Sequence, residues 1–222
     1  SKKPKILLIG AGKFGEKHLE TLLSLEKKGL LKLTGVVVKT KKTEALLKKK
    51  YNFPVYRDVT DSLLQDVDGV DIVTPPETHF NLINQCLPLT NVLVEKPMTV
   101  TGKEALALKL KFKNSKNILM VGHIFRFHSS VIKLKEILRK TKEKPFLIEG
   151  IFINHPSTDR GMDIELELLH PFDMADYLFN KAVISKFVHK KDRLKTVSLK
   201  YGVNLTGIFK LGWDGEEKVR SL

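Results

Sequence analysis

Disulfide bonds, membrane spans and a secretory leader all lack support in this sequence. A single cysteine, Cys86, stands among 222 residues, so no disulfide can form within the chain. No apolar run approaches the roughly 18 residues that a membrane-spanning helix requires. The first apolar strand pattern begins at Lys5, so we expect no signal peptide before it. These absences predict a protein of the reducing cytoplasm in which Cys86 packs in the core.

Acidic residues and glutamine are scarce relative to lysine and arginine. The chain has 39 lysines and arginines against 25 aspartates and glutamates, a net charge of +14, and only Gln65 and Gln85 as glutamines. Nucleic-acid binding would require a clustered basic stripe or a known motif, and neither is present. A phosphate-bearing cofactor would use a few local lysines. For most of the charge the sequence favours a third interpretation, a lysine-rich composition as in some thermophiles.

The first part of the chain alternates between strand and helix patterns. Short apolar runs predict buried parallel strands at 5–9, 33–38, 70–73, 91–94 and 118–121. Helical periodicity fills the gaps at about 14–28, 43–50, 77–87 and 102–112. This alternation predicts a Rossmann-type doubly wound sheet, whose ligands bind beyond the carboxyl ends of its strands. We assign residues 1–122 to this dinucleotide-binding domain.

The pattern changes after Gly122, and we assign residues 123–222 to an α+β domain for substrate binding and oligomerisation. Helices are predicted at about 129–140 and 163–179, and a strand at 146–153. Alternating segments near 183–190, 195–201 and 203–212 predict neighbouring antiparallel strands. The last five residues resemble the middle of a strand, so we expect either further residues or a partner chain to cover that edge.

A glycine fingerprint follows the first strand. It reads Gly10-Ala11-Gly12-Lys13-Phe14-Gly15. Gly10 allows a tight turn, Gly12 lets backbone amides approach a pyrophosphate, and Gly15 allows the helix to pack closely on the strand. The helix that follows presents unpaired N–H groups to the phosphates. The fingerprint therefore predicts dinucleotide binding; the alternative is a glycine turn without a ligand.

The second strand is followed by cations where an acid would favour NAD. Rossmann proteins that bind NAD commonly place an acid here to bind the ribose 2′-hydroxyl. This chain instead has Lys39-Thr40-Lys41-Lys42, which would attract a 2′-phosphate. The sequence therefore favours NADP over NAD, with Lys39 and Thr40 as cofactor contacts. The alternative is a solvated charge run that contacts nothing.

Two proline-containing turns follow the next two strands. Thr74-Pro75-Pro76 is stiffened by its prolines and could line the nicotinamide side of the cleft. His79 could contact the cofactor or cap a local helix, and the sequence does not choose between these roles. Glu95-Lys96-Pro97 places a lysine over the same cleft, where it could exchange a proton with an alcohol. Burial and neighbouring cations could lower its ordinary pKa of about 10.4.

The predicted helix at 163–179 carries polar residues on one face. Asp163, Glu167, His170 and Asp173 are separated by three, four or seven positions. Polar groups on one side of an otherwise apolar helix are typical of a cleft lining. We interpret His170 as a catalytic residue, although a lone helix histidine is usually structural.

These motifs together resemble the Gfo/Idh/MocA family, the relatives of glucose-fructose oxidoreductase and inositol dehydrogenase. The resemblance rests on the glycine loop with His18, Thr74-Pro75-Pro76 with His79, Glu95-Lys96-Pro97, Gly122-His123-Ile124-Phe125-Arg126-Phe127, and His170 with Asp173. It implies NAD(P)-dependent oxidation or reduction of sugars, cyclitols or related carbonyls, and a C-terminal open sheet often used for homo-oligomers, here a dimer or tetramer. It also implies a catalytic role for Lys96 and His170, a place beside the cofactor for Arg126, and a cis peptide before Pro97.

Two features depart from that family pattern. Leu166 stands where the family has an aspartate four residues before its histidine, and family members continue well beyond residue 222. Glu167 lies one residue on and only about 60° around the predicted helix from His170, so we include it among the catalytic residues, with Asp163 as the alternative. We expect an NADP-preferring dehydrogenase or reductase without a metal, a nucleic-acid partner or a membrane partner. The alternatives are a non-catalytic cofactor-binding protein with a sensing or assembly role, which Leu166 supports, and a nucleic-acid binder, which only the charge supports.

Overall fold

The structure is a computed structural model that describes residues 2–156, 161, 163–213 and 215–222. The chain divides into two compact units, Ser1–Gly122 and His123–Leu222. Over the described residues, none of the helices combines the length and the apolar character needed to cross a membrane.

The first unit is built on a six-stranded parallel sheet. Its strands are β1 (Lys5–Ile9), β2 (Lys32–Val37), β3 (Val55–Tyr56), β4 (Gly69–Ile72), β5 (Asn91–Val94) and β6 (Leu119–Val121). They lie in the order β3-β2-β1-β4-β5-β6, and each neighbouring pair is parallel. The order reverses between β1 and β4, which makes the carboxyl ends of these two strands the place where ligands bind in such sheets.

Threonine side chains cap the N-termini of three of the five α-helices described in this unit. The helices are α1 (Lys13–Lys27), α2 (Lys41–Lys50), α3 (Asp61–Gln65), α4 (His79–Cys86) and α5 (Gly102–Lys111). Thr40, Thr60 and Thr101 each accept a hydrogen bond from a backbone N–H in the first turn of α2, α3 and α5. The sequence patterns did not predict β3 or α3, because elements of two and five residues are too short to show a period.

The sheet separates two apolar cores. Leu7 and Leu8 are adjacent in β1 and both are fully buried, yet they belong to different clusters because successive side chains of a strand point to opposite faces. Cys86 lies in the core with Leu7, and burial raises the pKa of its thiol to about 12. Its predicted packing role is therefore confirmed.

Over the described residues, the second unit is a mostly antiparallel sheet with three α-helices. Its elements are α6 (Ser129–Lys140), β7 (Leu147–Ile153), α7 (Ile164–Glu167), α8 (His170–Phe179), β8 (Val183–Lys191), β9 (Leu194–Tyr201), β10 (Leu205–Gly212) and β11 (Val219–Ser221). The strand order is β11-β7-β10-β9-β8, and among these described strands only β7 and β10 pair in parallel. The predicted fold class, a Rossmann sheet followed by an α+β region with a mostly antiparallel open sheet, is confirmed.

The inner strands of the second sheet pack against the helices, whereas its edge strand β8 is exposed. Val197, Phe209 and Leu211 are fully buried in a core shared with residues of the helices. β8 is exposed along its whole length, and Phe187 within it keeps 70% of its surface in solvent. A large apolar side chain with this exposure marks a surface that the described residues of this chain do not cover.

The single helix predicted at 163–179 is wrong. The structure has two helices, α7 and α8, and Leu168 between them leaves helical geometry with φ −107° and ψ 40°. Pro171 explains the break, because it has no N–H to donate to the carbonyl of Glu167 in a continuous helix. The prediction that Asp163 and Glu167 share one helical face with His170 therefore fails as well.

Candidate functional site

The outer glycines of the fingerprint are required by packing within the protein. Gly10 has φ +102°, and a Cβ on it would lie 2.5 Å from the carbonyl oxygen of Val73. A Cβ on Gly15 would overlap the carbonyl oxygen of Gly10. These two positions hold α1 close to the carboxyl ends of β1 and β4, and they exclude larger residues without any ligand being present.

Gly12 is different, because none of the described residues approaches it. A Cβ on Gly12 would meet no atom of those residues within 4 Å, so the space in front of it is open. Gly12 is also the residue that begins α1, and the helix start has no side-chain cap. The residues around this uncapped first turn are the exposed Lys13 and Phe14 and the half-buried Ala11. This arrangement fits the pyrophosphate of a dinucleotide.

The end of β2 is basic, and an arginine that the motifs did not reveal adds to it. Lys39 and Thr40 are exposed, although the Thr40 hydroxyl is already used to cap α2. Arg57 follows β3 and donates from Nη2 to the Lys39 carbonyl oxygen at 2.6 Å. Glu44 lies 3.6 Å from Arg57. A hydrogen bond from Lys48, and then the contact with Arg57, lower the pKa of the Glu44 carboxyl, so this acid is already paired with two cations. Arg57 reaches the end of β2 because β3, which precedes it in the chain, pairs with β2 in the sheet. The sequence motifs could not reveal this pairing.

His79 is a buried link between the two proline turns. Its ring is fully buried, with Nδ1 2.8 Å from the carbonyl oxygen of Pro97 and Nε2 2.9 Å from that of Thr74. A ring without exposed surface has no face to offer a cofactor, so the predicted cofactor contact gives way to a structural role. Pro75 is exposed and Pro76 begins a short 3₁₀ turn, so this turn does present surface.

Lys96 is the second residue after β5 and is half-buried. The peptide bond between Lys96 and Pro97 is cis, as the family resemblance implies. The Glu95 carboxylate accepts a hydrogen bond from the Lys96 backbone N–H at 3.2 Å. Because β1, β4 and β5 are neighbours in a parallel sheet, Lys96 and the glycine loop lie at the same edge of that sheet.

Glu95 is also held by a histidine that the sequence analysis used only as part of a motif. His18 on α1 lies 2.8 Å from Asp71 through Nδ1 and 3.4 Å from Glu95 through Nε2. Hydrogen bonds to Asp71 and then Glu95 outweigh burial and raise the pKa of His18 to about 9. The signal that could have revealed this cluster is Asp71, a charged residue within an otherwise apolar buried strand. Gly122 packs against the cluster, because a Cβ there would lie 2.7 Å from Oε1 of Glu95.

In the second unit, Arg126 is engaged by a buried carboxylate. Its Nε lies 2.9 Å and its Nη2 2.5 Å from Oδ1 of Asp173, and the hydrogen bonds raise the pKa of Arg126. Asp176 adds a longer ion pair at 3.3 Å, and the guanidinium carbon lies 5.4 Å from the centre of the Tyr177 ring. Two of the predicted site residues, Arg126 and Asp173, therefore form one ion pair within this unit.

The remaining predicted site residues divide between the two short helices. His170 is the first residue of α8, and its ring packs 4.8 Å from that of Phe125. Glu167 is the last residue of α7 and is half-buried. Asp163 caps α7 by accepting from the Glu165 backbone N–H at 2.8 Å, and it lies 3.3 Å from Nζ of Lys195. These contacts commit the Asp163 carboxylate to structure.

Comparison with known proteins agrees with this arrangement. Residues 4–123 match the model of the Gfo/Idh/MocA oxidoreductase family, described as an NAD-binding Rossmann fold. UDP-N-acetylglucosamine 3-dehydrogenase of Acidithiobacillus ferrooxidans is 30% identical over 58% of this chain and 40% of its own length. Inositol 2-dehydrogenase of Mycolicibacterium smegmatis is 26% identical over 82% of this chain and 54% of its own length. The chain thus spans about half the length of such relatives.

Solved structures show the same fold. The structure of scyllo-inositol dehydrogenase from Lactobacillus casei with bound NAD(H) and scyllo-inositol superposes with a TM-score of 0.83 at 19% identity, covering 95% of this chain and 70% of that one. The TM-score is 0.84 at 22% identity for a structure of the Acidithiobacillus ferrooxidans enzyme, over 99% of this chain and 70% of that one. Because the family model covers more than half of the sequence, this chain belongs to the Gfo/Idh/MocA oxidoreductase family, whose Rossmann fold binds NAD.

Proposed function

We propose that the chain carries the cofactor site and the catalytic lysine of a nicotinamide-dependent dehydrogenase or reductase. The observation that carries this proposal is the open start of α1 at Gly12, on the same sheet edge as Lys96. The substrate class we propose is a sugar, a cyclitol or a related alcohol or carbonyl compound. The names of the relatives support this choice, since they are dehydrogenases of an inositol and of a nucleotide-linked sugar.

Lys96 would exchange the proton of the substrate oxygen. The nicotinamide ring, when bound, accepts or supplies the hydride at the substrate carbon. Oxidation of an alcohol requires that its hydroxyl proton leave as the hydride does, and a positioned amine can take that proton and return it in the reverse direction. The resemblance that assigns this role to Lys96 also assigns a catalytic role to His170. We propose that His170 orients the substrate oxygen. We propose that Glu167 stabilises whichever of Lys96 and His170 carries the proton.

NADP would be preferred over NAD. Lys39, Lys41 and Arg57 form a cationic group at the end of β2, and Glu44 is the acid that lies beside it. A 2′-phosphate would gain favourable interactions with these cations, while Lys39 and Thr40, where NAD-binding proteins commonly have an acid, offer no carboxylate to a free ribose hydroxyl.

The test begins with fluorescence titration of NADPH and NADH, followed by a hydride-exchange screen of sugars, cyclitols and nucleotide-linked sugars. We expect Lys96→Ala to lower turnover by about 10²–10⁴-fold, the usual scale of acid–base assistance. Lys103→Ala is the matched control, because Lys103 is an exposed lysine in the same unit. Unchanged turnover in Lys96→Ala would exclude the proposed mechanism.

A non-catalytic cofactor-binding protein is the second candidate, and Leu166 favours it. The family places an aspartate there, and a leucine cannot relay or stabilise a proton. This candidate predicts tight NADPH binding with no hydride exchange across the whole substrate panel. Detectable turnover in the wild type, with a higher rate in Leu166→Asp, would contradict this candidate. It would favour an enzyme whose proton relay is weakened by Leu166.

We further propose that the exposed edge strand β8 of the five-stranded sheet supports homo-oligomerisation. Phe187 and Ile184 on the edge strand β8 keep 70% and 60% of their surface exposed. Burial of these side chains against a second copy would remove apolar surface from water. Sedimentation equilibrium should therefore show a dimer or tetramer that dissociates in Phe187→Glu; a monomeric wild type would refute this.

A further inference from the structure

The buried ring of His79 joins two turns through two acceptors of the same kind. Its Nδ1 lies 2.8 Å from the carbonyl oxygen of Pro97, and its Nε2 lies 2.9 Å from that of Thr74. No part of the residue is exposed to solvent. Thr74 precedes the turn after β4, and Pro97 directly follows Lys96, so this one ring ties together the two turns that flank the proposed nicotinamide position.

The chemistry of the acceptors decides which form of the ring fits. A carbonyl oxygen only accepts hydrogen bonds, whereas a neutral imidazole has one donor nitrogen and one acceptor nitrogen. A neutral ring would therefore direct a lone pair at one of the two carbonyl oxygens from less than 3 Å. Both contacts are hydrogen bonds only when both ring nitrogens carry a hydrogen.

The prolines explain why a side chain is needed here. Proline has no backbone N–H, so Pro75, Pro76 and Pro97 remove three donors from the two turns. The carbonyl groups of the turns remain, and a buried carbonyl oxygen without a hydrogen-bond donor destabilises the fold. With hydrogen on both ring nitrogens, His79 would supply a donor to each turn at once.

The residue before Lys96 is held in a comparable way. The Glu95 carboxylate accepts from the Lys96 backbone N–H and forms an ion pair with His18, whose ring lies between Glu95 and Asp71. Lys96 is thus fixed on both sides, by His18 through Glu95 and by His79 through Pro97.

We propose that His79, with hydrogen on both ring nitrogens, is a positioning residue that sets the direction of Lys96 relative to the cofactor. Only the expected effect on kcat rests on the proposed function. The bonding of the ring and the environment of Lys96 are properties of the folded protein, and they can be measured without a substrate.

The first experiment is nitrogen NMR of the full chain labelled with ¹⁵N-histidine, at pH 8, where a free imidazole with its ordinary pKa of about 6.5 is singly protonated. The His79 signals are assigned by their loss in His79→Gln, and exposed His189, removed in His189→Gln, is the control. Two protonated-type nitrogens for His79 support the proposal. An unprotonated nitrogen in the His79 ring, the pattern of a neutral imidazole, overturns the proposal.

The second experiment reads Lys96. Its side-chain carbon signals, identified by their loss in Lys96→Arg, should shift in His79→Gln and in His79→Phe but not in His189→Gln. Once a substrate is known, kcat should fall about 10- to 100-fold in the His79 variants while the Kd for NADPH stays within about two-fold, because misplacement of a reacting group by about 1 Å has effects of that size.

Unshifted Lys96 signals in a folded His79 variant would overturn the positioning role. If both His79 variants fail to fold, the His79 signals are assigned by elimination, with the other six histidines replaced one at a time by glutamine, and the wild-type nitrogen spectrum then decides whether the ring is doubly protonated. If the wild type turns over no substrate, the proposed function fails, whereas shifted Lys96 signals would still support the positioning of Lys96 by His79.

Discussion

His18 Nδ1 lies 2.8 Å from Oδ2 of Asp71, which joins α1 to the buried centre of the parallel sheet. The same ring reaches Glu95 at 3.4 Å, so one histidine links the helix of the glycine loop to the strand end that carries Lys96. Both carboxylates are largely buried, with 6% and 12% of their side chains exposed. The charge of the ring therefore matters to stability.

Stability should fall in alkaline solution because of His18. Its pKa is raised to about 9 by Asp71 and then Glu95, against 6.5 in the unfolded chain. A raised pKa stabilises the folded state fully below pH 6.5, and this stabilisation is lost as pH rises through 9. We expect the free energy of unfolding in urea to fall by roughly 2–4 kcal/mol between pH 6.5 and pH 9.5.

The control for this prediction is His18→Gln, which cannot titrate. Its free energy of unfolding should be lower at pH 6.5 and should depend less on pH up to 9.5. An equal pH dependence in the wild type and in His18→Gln would show that the cluster does not stabilise the fold through the charge of His18.

Gly12→Ala and Gly15→Ala should separate cofactor binding from folding. A Cβ at Gly12 meets none of the described residues, so we expect a change in stability of at most about 1 kcal/mol but a clear loss of NADPH affinity. A Cβ at Gly15 overlaps the Gly10 carbonyl oxygen, so this variant should lose about 1–3 kcal/mol of stability. Urea denaturation and fluorescence titration measure the two effects. Full NADPH affinity in Gly12→Ala would contradict the assigned pyrophosphate position.

Lys39→Asp should narrow or reverse the preference for NADPH over NADH. A carboxylate at this position would repel a 2′-phosphate and could accept from a ribose hydroxyl. The Kd for each cofactor is measured in the wild type, in Lys39→Asp and in Lys49→Asp. The last is the control for net charge, because Lys49 is exposed near the far end of α2. Equal affinities for both cofactors in all three proteins would remove the NADP assignment.

Glu167→Gln should lower turnover more than Asp163→Asn. Asp163 caps α7 and lies beside Lys195, and asparagine retains a capping oxygen, so turnover should persist in Asp163→Asn. Loss of the Glu167 carboxylate should slow the reaction by about 10²–10⁴-fold without changing the Kd for NADPH. Steady-state kinetics on a substrate found by the screen would measure both. Full activity in the two variants would mean that neither carboxylate takes part.

Local patterns were sufficient for the longer elements and the motifs of the first unit, but not for the short elements β3 and α3. The fingerprint from Gly10 to Gly15 specifies a strand, a turn and a helix start through residues that are neighbours in the chain. The cis peptide before Pro97 followed from the family resemblance. The pattern failed at Pro171, where apolar periodicity continued across a residue that cannot donate the hydrogen bond a helix requires. At this position the missing N–H of proline ended the helix, although the apolar periodicity predicted that it would continue.

Contacts between residues distant in the chain could not be read in this way. His18 and Asp71 are 53 residues apart, and Arg126 and Asp173 are 47 apart. Arg57 reaches the end of β2 because the two-residue strand β3, which has no period to detect, pairs with β2. His79 showed only that a histidine begins a helix, while its second acceptor, at Pro97, depends on how β5 lies beside β4.

The amino-acid order therefore specified the Rossmann sheet, the glycine loop and the lysine turn, because buried strands, helix starts and proline turns depend on short-range periodicity and backbone chemistry. The charge and hydrogen bonds of His18, the burial of His79 and the engagement of Arg126 by Asp173 were settled by the folded structure. These properties depend on which strands and helices become neighbours, and that is determined by packing of the whole core rather than by any local segment.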